Sequence, residues 1–427
     1  MPLTDTGLHA PPLYESFEPP VVGGSYADPV FGSTVKRLSN ALNTHSADGS
    51  GNNLTWITDE YPTACPWNSD NSLLLLVHQS YFALYGSSGL YLRDLPMEIN
   101  ASSQPRWSRA NNHTFYYIKG NQLKAFDVTA SATSIVRTFS EYTSIDGCGE
   151  SDISLDGDHM VFAGDKRFIF VYCIRMDAVL PAFDTASNPF DSLYLTPKNN
   201  VLIQWINKSP NWNASGRPGF LGIELFDSSM HFIQQVFRCN GHKDVMLDTG
   251  GSEILVITNS DEPAPTVGNN AIIKVRLSDC FQTGLLSIPW SQAVHISAPD
   301  RGEFVYVETE DSWKFPTLVA NWVPYCNELL RVPLDGSSTQ RLAHHRSRPN
   351  ANNTYNYEPK ISCSRDGSRV AFTSNFNAVA RQGAPDEYGD AYMIDFSGPS
   401  PVPGPLPPRP HPPRPVPPPA PPHRWPF

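Results

Sequence analysis

One unit recurs seven times along this chain, and it leaves few folds open. Each copy is a polar turn, usually Asp-Gly or a relative, then an apolar strand, a second turn and a second strand. The first three copies are SDNSLLLLVHQS at 69–80, RANNHTFYYIKG at 109–120 and LDGDHMVFAGD at 155–165. TPKNNVLIQWIN at 196–207, DTGGSEILVITN at 248–259, PDRGEFVYVETE at 299–310 and RDGSRVAFTSNF at 365–376 complete the series. Spacings of about 40 to 65 residues suit one four-stranded blade per copy, the longer ones carrying insertions. A lone blade cannot bury both its faces, so the seven must pack around a common axis. The repeat predicts an all-β chain folded as a seven-bladed β-propeller.

Second strands follow each copy at suitable distances, among them GLYLRDLP at 89–96, FIFVYCIRM at 168–176 and GDAYMIDF at 389–396. An open ring would leave an unpaired edge, so one strand must come from the other end of the chain. Ser33–Ser39 is the predicted closing strand, beside Ala391–Phe396 of blade seven. The expected organisation is an N-terminal arm over 1–30, the propeller over 31–396 and a proline-rich tail over 397–427.

The tail is the least globular part. Pro399–Phe427 holds sixteen of the forty-one prolines, with Arg409, Arg414 and Arg424 and no acid. Proline fixes φ and removes a backbone donor, so this stretch is predicted to be a polyproline II rod. Arg409–Pro415 fits R-x-x-P-x-x-P, a pattern read by proline-recognising grooves. Expected partners of the tail are other copies of the chain or a proline-recognising protein, with Arg409, Arg414, Trp425 and Phe427 as contacts. The net charge is −11, and removing the three tail arginines leaves −14 (−11 minus 3) on the body. Such an acidic body argues against nucleic acid as a partner.

No apolar run is long enough for a membrane span, and residues 1–30 lack the basic and apolar regions of a secretory leader. The chain is therefore expected to be cytoplasmic, or numbered from a processed terminus. Six N-x-S/T sequons, at Asn53, Asn100, Asn112, Asn207, Asn213 and Asn352, and the tail lean instead towards an extracellular glycoprotein. The seven cysteines contain no CxxC pair, which argues against a zinc ribbon. They are expected to be buried thiols, with or without one or two bridges.

The blade phrase Ser-x-Asp-Gly-x-x-apolar-x-Phe, clearest at Ser364–Phe372, resembles the TolB-type propeller repeat. TVKRLS at 34–39, GHKDVMLD at 241–248, VHISAPDRG at 294–302, HHRS at 344–347 and YEPKISCSRDGSRVAFTSNF at 357–376 resemble the oligogalacturonate-lyase-like seven-bladed propellers. The resemblance covers most of 33–396, and its last phrase is the specific one. It implies a divalent metal held by a Gln and two His at the opening of the last blade, and β-elimination on uronates. This chain departs there: Tyr357-Glu358-Pro359-Lys360 has no histidine, Glu358 stands at the Gln position, and Lys360 would repel a cation.

Residues about six positions before each turn should ring one mouth of the central channel. They are Tyr61 or Pro62, Gln104, Glu150, Asp191, His242, His295 and Glu358. His242, His295, Glu150 and Glu358 can hold Ca²⁺, Mn²⁺ or Zn²⁺. The same set serves a lyase, with His242 as general base. Alternatively these groups only satisfy backbone and channel waters, and no cofactor is required. Arg346, in the polar loop before blade seven, suits the carboxylate of an acidic polysaccharide, or else belongs to a loop that is simply solvated. The aromatic insertion 311–325 offers Trp313, Phe315, Trp322 and Tyr325 for sugar stacking or docking, or as a cover for one end. No GxSxG, HExxH, P-loop or GxGxxG motif occurs, which excludes those enzyme classes. The expected function is a non-catalytic assembly protein whose tail links subunits, with a metal-assisted uronate lyase as the alternative.

Overall fold

The computed structural model describes residues 3–14, 16–210, 219–259, 271–289, 292–311, 322–348 and 355–397. Trp313, Phe315, Asn213, Asn352 and the tail positions Arg409, Arg414, Trp425 and Phe427 lie outside them. Seven antiparallel sheets form a ring, one per repeat. The innermost strands of blades one to seven begin at Ile57, Arg106, Ile145, Phe190, Lys243, Gln292 and Ser362. Their neighbours are the apolar runs of the repeats. Leu73–His78 of blade one is buried at all six positions. The reason is that a blade's second strand is covered on both faces by adjacent blades, so it reads as a continuous apolar run rather than an alternation.

The Asp-Gly turns explain the repeat phrase. In blade seven the Ser364 hydroxyl and the Ser368 amide both donate to Asp366 Oδ1, at 2.6 and 2.9 Å. Gly367 takes φ +68°, and a Cβ there would meet Phe304 and Pro299 at 3.3 Å. A side chain at this position is thus excluded by backbone conformation and by space.

The ring closes as expected. Thr34–Arg37 pairs antiparallel with Asp390–Asp395, in the register Val35↔Ile394, Lys36↔Met393 and Arg37↔Tyr392. Asp390, fully buried, accepts from Arg37 Nη2 at 2.6 Å, Ser39 Oγ at 2.9 Å and Ala41 N at 2.8 Å. Ser25–Ala27 then adds a fifth strand outside the closing one, so part of the 1–30 segment belongs to blade seven.

The rest of that segment runs along blade six. Arg341 Nη1 donates to the Gly7 carbonyl at 2.6 Å, and Arg348 Nη2 to that of Tyr14 at 2.7 Å. The Tyr14 ring meets Trp322 edge-on with centroids 4.7 Å apart. This packing corrects two expectations. Trp322 and Tyr325 are buried rather than exposed for stacking. Arg346 is buried too; its Nη2 donates to the Pro12 carbonyl and its guanidinium covers Phe17 at 4.0 Å, so it is not in a solvated loop. All seven cysteines are free thiols. Among the described residues no helix is long and apolar enough to cross a membrane.

Candidate functional site

The mouth of the channel is built from residues at the innermost strands of blades one and three to seven. His242 precedes Lys243–Asp248, and His295 lies within Gln292–Ser297. The two imidazoles stack, with centroids 4.3 Å apart and planes 15° from parallel. The His242 Nδ1 lies 2.5 Å from the Val294 carbonyl. A carbonyl only accepts, so Nδ1 carries the proton and Nε2 keeps its lone pair. The His242 side chain is solvent-accessible. The enclosing walls, and after them His295, push its pKa down to about 4, so the ring is neutral at pH 7.

His295 is buried, its Nδ1 2.5 Å from Glu308 Oε1 and its Nε2 4.0 Å from Glu358 Oε2. Burial, and then Lys360, bring it down to about 3. Ligand atoms of His295, Glu308 and Glu310 all lie within 4.8 Å of one another, and the three residues are buried. Burial raises both glutamates well above the ordinary carboxyl range, and neighbouring carboxyls add to it. Glu358 is likewise pushed up, to about 7, by burial.

Opposite this wall, Glu150 accepts from the Tyr194 hydroxyl and lies 3.5 Å from Lys243 Nζ. Lys243, fully enclosed, also donates to Ser192 Oγ at 2.9 Å. Asp191 accepts from Gln204 Nε2 at 2.6 Å. The Tyr61 ring meets His295 edge-on at 6.0 Å. Burial raises its phenol strongly, helped by Glu150, Asp191 and Glu358. Six ring positions from the sequence are thus gathered: Tyr61, Glu150, Asp191, His242, His295 and Glu358. Gln104 is occupied elsewhere, donating to Asp146 Oδ1 at 2.8 Å and accepting from Gly147 N at 2.9 Å.

Glu308 and Glu310 were not among the predicted ligands. Their strand, Phe304–Asp311, is the buried second strand of blade six, and Glu308 is the register partner of His295. A signal existed: two acids at i and i+2 share one face of a strand that in the other blades is apolar. The chemistry of this donor set fits a divalent cation. One imidazole and two carboxylates suit Mn²⁺, Zn²⁺ or Ca²⁺, and Glu308 Oε2 is buried without a hydrogen-bond partner. Lys360 is enclosed nearby, its pKa lowered by burial despite Asp59 and Glu358.

Among the sequons, Asn53 Nδ2 donates to the Leu42 carbonyl at 2.6 Å and Asn112 Nδ2 to Asp70. Asn100 caps a short 3₁₀ turn, and the Asn207 carbonyl accepts from Gly222 N.

No family model matches the chain, and no curated protein matches it. Solved structures do. An oligogalacturonate lyase in complex with manganese is similar at 12% identity and TM-score 0.58, over 88% of this chain and 96% of that one. An oligogalacturonate lyase from Vibrio parahaemolyticus is similar at 11% identity and TM-score 0.58, over 88% of this chain and 97% of that one. The seven-bladed fold of those lyases is the fold of this chain.

Proposed function

We propose that the channel mouth is an acid–base site, assisted by a divalent cation, that cleaves uronate-containing polysaccharide by β-elimination. The observation that carries this reading is His242: a solvent-accessible imidazole stacked on His295, its Nδ1–H spent on Val294 and its Nε2 free to take a proton. His242 Nε2 removes the proton α to the uronate carboxylate. The C–O bond to the leaving sugar breaks, a C=C bond forms, and the leaving oxygen takes up a proton. His295, Glu308 and Glu310, with Glu358 beside them, would hold the cation. A cation bound there would neutralise the substrate carboxylate and acidify its α-proton. That acidification depends on the cation, so the activity is expected to be strictly metal-dependent.

A non-catalytic scaffold has no need to desolvate clustered carboxyls beside paired imidazoles, which costs stability. For this reason the lyase reading ranks above an assembly role. The likeness to lyase structures supports it through the fold alone. The six sequons and a polymeric substrate favour an extracellular setting, to be tested by mass spectrometry of the native protein for glycans. The test of activity is ultraviolet absorbance of the unsaturated product from polygalacturonate.

A further inference from the structure

The proline-rich segment is a feature of the sequence that this site does not use, and the molecule carries a groove suited to it. The described chain ends at Ser397, just after Phe396. The Phe396 amide donates to the Ser368 carbonyl at 2.8 Å, at the Asp-Gly turn of blade seven. Its ring stacks on Tyr306 of blade six, with centroids 5.9 Å apart and planes 11° from parallel. Tyr306 meets Phe304 at 5.4 Å. Phe304 lines an open groove of about 500 Å³ between blades five and six, with Pro333, Leu334, Asp248, Glu303 and Asp335. The exit of the chain and the groove are therefore on one face of the disc, one blade apart.

We propose that residues 398–427 of the same chain dock back into this groove. The chemistries match. Sixteen prolines suit a rim formed by Pro333 and the half-buried Phe304 ring, whose face carries the Arg331 guanidinium and whose floor is the buried Leu334. The segment has three arginines and no acid, while the groove presents three carboxylates. It also holds two cations, Lys274, whose Nζ donates to the Leu334 carbonyl at 2.7 Å, and Arg331, on the Phe304 ring at 3.4 Å, so three carboxylates against two cations leave it at −1. A polyproline II stretch rises about 3.1 Å per residue, so the segment before Arg409 spans roughly 35 Å, ample for one blade. Tethering favours the chain's own segment over that of another copy through its high effective concentration.

The groove lies on the face opposite the candidate site. His242 and Asp248 stand at the two ends of one strand, about 20 Å apart at the usual rise. Docking is thus independent of the lyase reading, and either can fail alone.

The seven blades close without the segment, so a chain ending at Ser397 is a fair host for a synthetic peptide of residues 398–427. Calorimetric titration should show binding that weakens roughly threefold or more from low to physiological salt. The exposed pair Glu303→Lys and Asp335→Lys should abolish it, with an unchanged unfolding midpoint. The full chain should bind the peptide far more weakly, because its own segment occupies the groove. No binding to the shortened chain would overturn the proposal. So would binding indifferent to the double substitution, or a full chain that forms dimers which lose their contact when the segment is removed.

Discussion

Arg37 and Asp390 join the two ends of the propeller through a buried ion pair of 2.6 Å, across the seam where the closing strand meets blade seven. Arg37 Nη2 also lies 3.2 Å from the Tyr388 hydroxyl, which itself donates to Asp390. The seam is thus held by strand pairing and by one carboxylate serving several donors. On the neighbouring blades five and six, the stacked His242 and His295 form the part of the channel mouth on which the functional reading rests.

Replacing Arg37 with alanine leaves Asp390 buried without its cation. The expected loss is about 3 to 5 kcal/mol, measured as a lowered urea midpoint. Adding Asp390→Asn to the same chain should recover part of it, since the uncompensated charge is then gone.

Asp59 sits under the mouth, accepting from Ser362 Oγ at 2.6 Å and Thr373 Oγ1 at 3.1 Å. Burial raises its pKa from 3.8 to about 6. Between those values the folded chain binds a proton that the unfolded chain has released, so this group's contribution falls as pH rises through about 6. Asp59→Asn should therefore be more stable than the parent at pH 8, by up to about 3 kcal/mol. The difference should vanish below pH 4. Thermal unfolding across that range checks both.

Divalent cation should stabilise the fold, because the donor set of His295, Glu308 and Glu310 exists only when folded. At a hundredfold excess over its dissociation constant, Mn²⁺ should add about 2.7 kcal/mol. Glu310→Gln or His295→Ala should remove the increment, read as the loss of the manganese-dependent shift in melting temperature. His242→Gln should retain it.

The N-terminal segment is held by aromatic and guanidinium contacts rather than by a sheet alone. Arg348 lies 3.1 Å from the Tyr14 ring centre, and Tyr14 covers Trp322. Tyr14→Ala should cost about 2 to 4 kcal/mol and shift tryptophan emission to the red. Manganese binding should be unaffected.

The blade repeat, the closing strand at Thr34–Arg37 and the ring of six mouth residues were legible in the sequence. Each rests on local patterning: a turn phrase, an apolar run and a fixed offset between them. Arg346 was misread because its burial depends on residues far away along the chain, and for the same reason the choice between stacking and cover stayed open at Trp322. Arg346 bonds to Pro12 across 334 positions, and nothing in the HHRS phrase announces a cover. Glu308 and Glu310 were missed for the opposite reason. Their strand was read as core, and it is core, but Glu308 is paired across the register with His295 and Glu310 lies two residues further on the same face.

The central claim is that His242 is the base of a metal-assisted elimination. Incubating the parent chain and His242→Gln with polygalacturonate and Mn²⁺, and following ultraviolet absorbance of the unsaturated product, tests it most directly. The parent should form product only with metal, and the variant should be slower by roughly 10²- to 10⁴-fold while still binding manganese. No product from the parent with Mn²⁺, Ca²⁺ or Zn²⁺, or equal rates from both chains, would contradict the account.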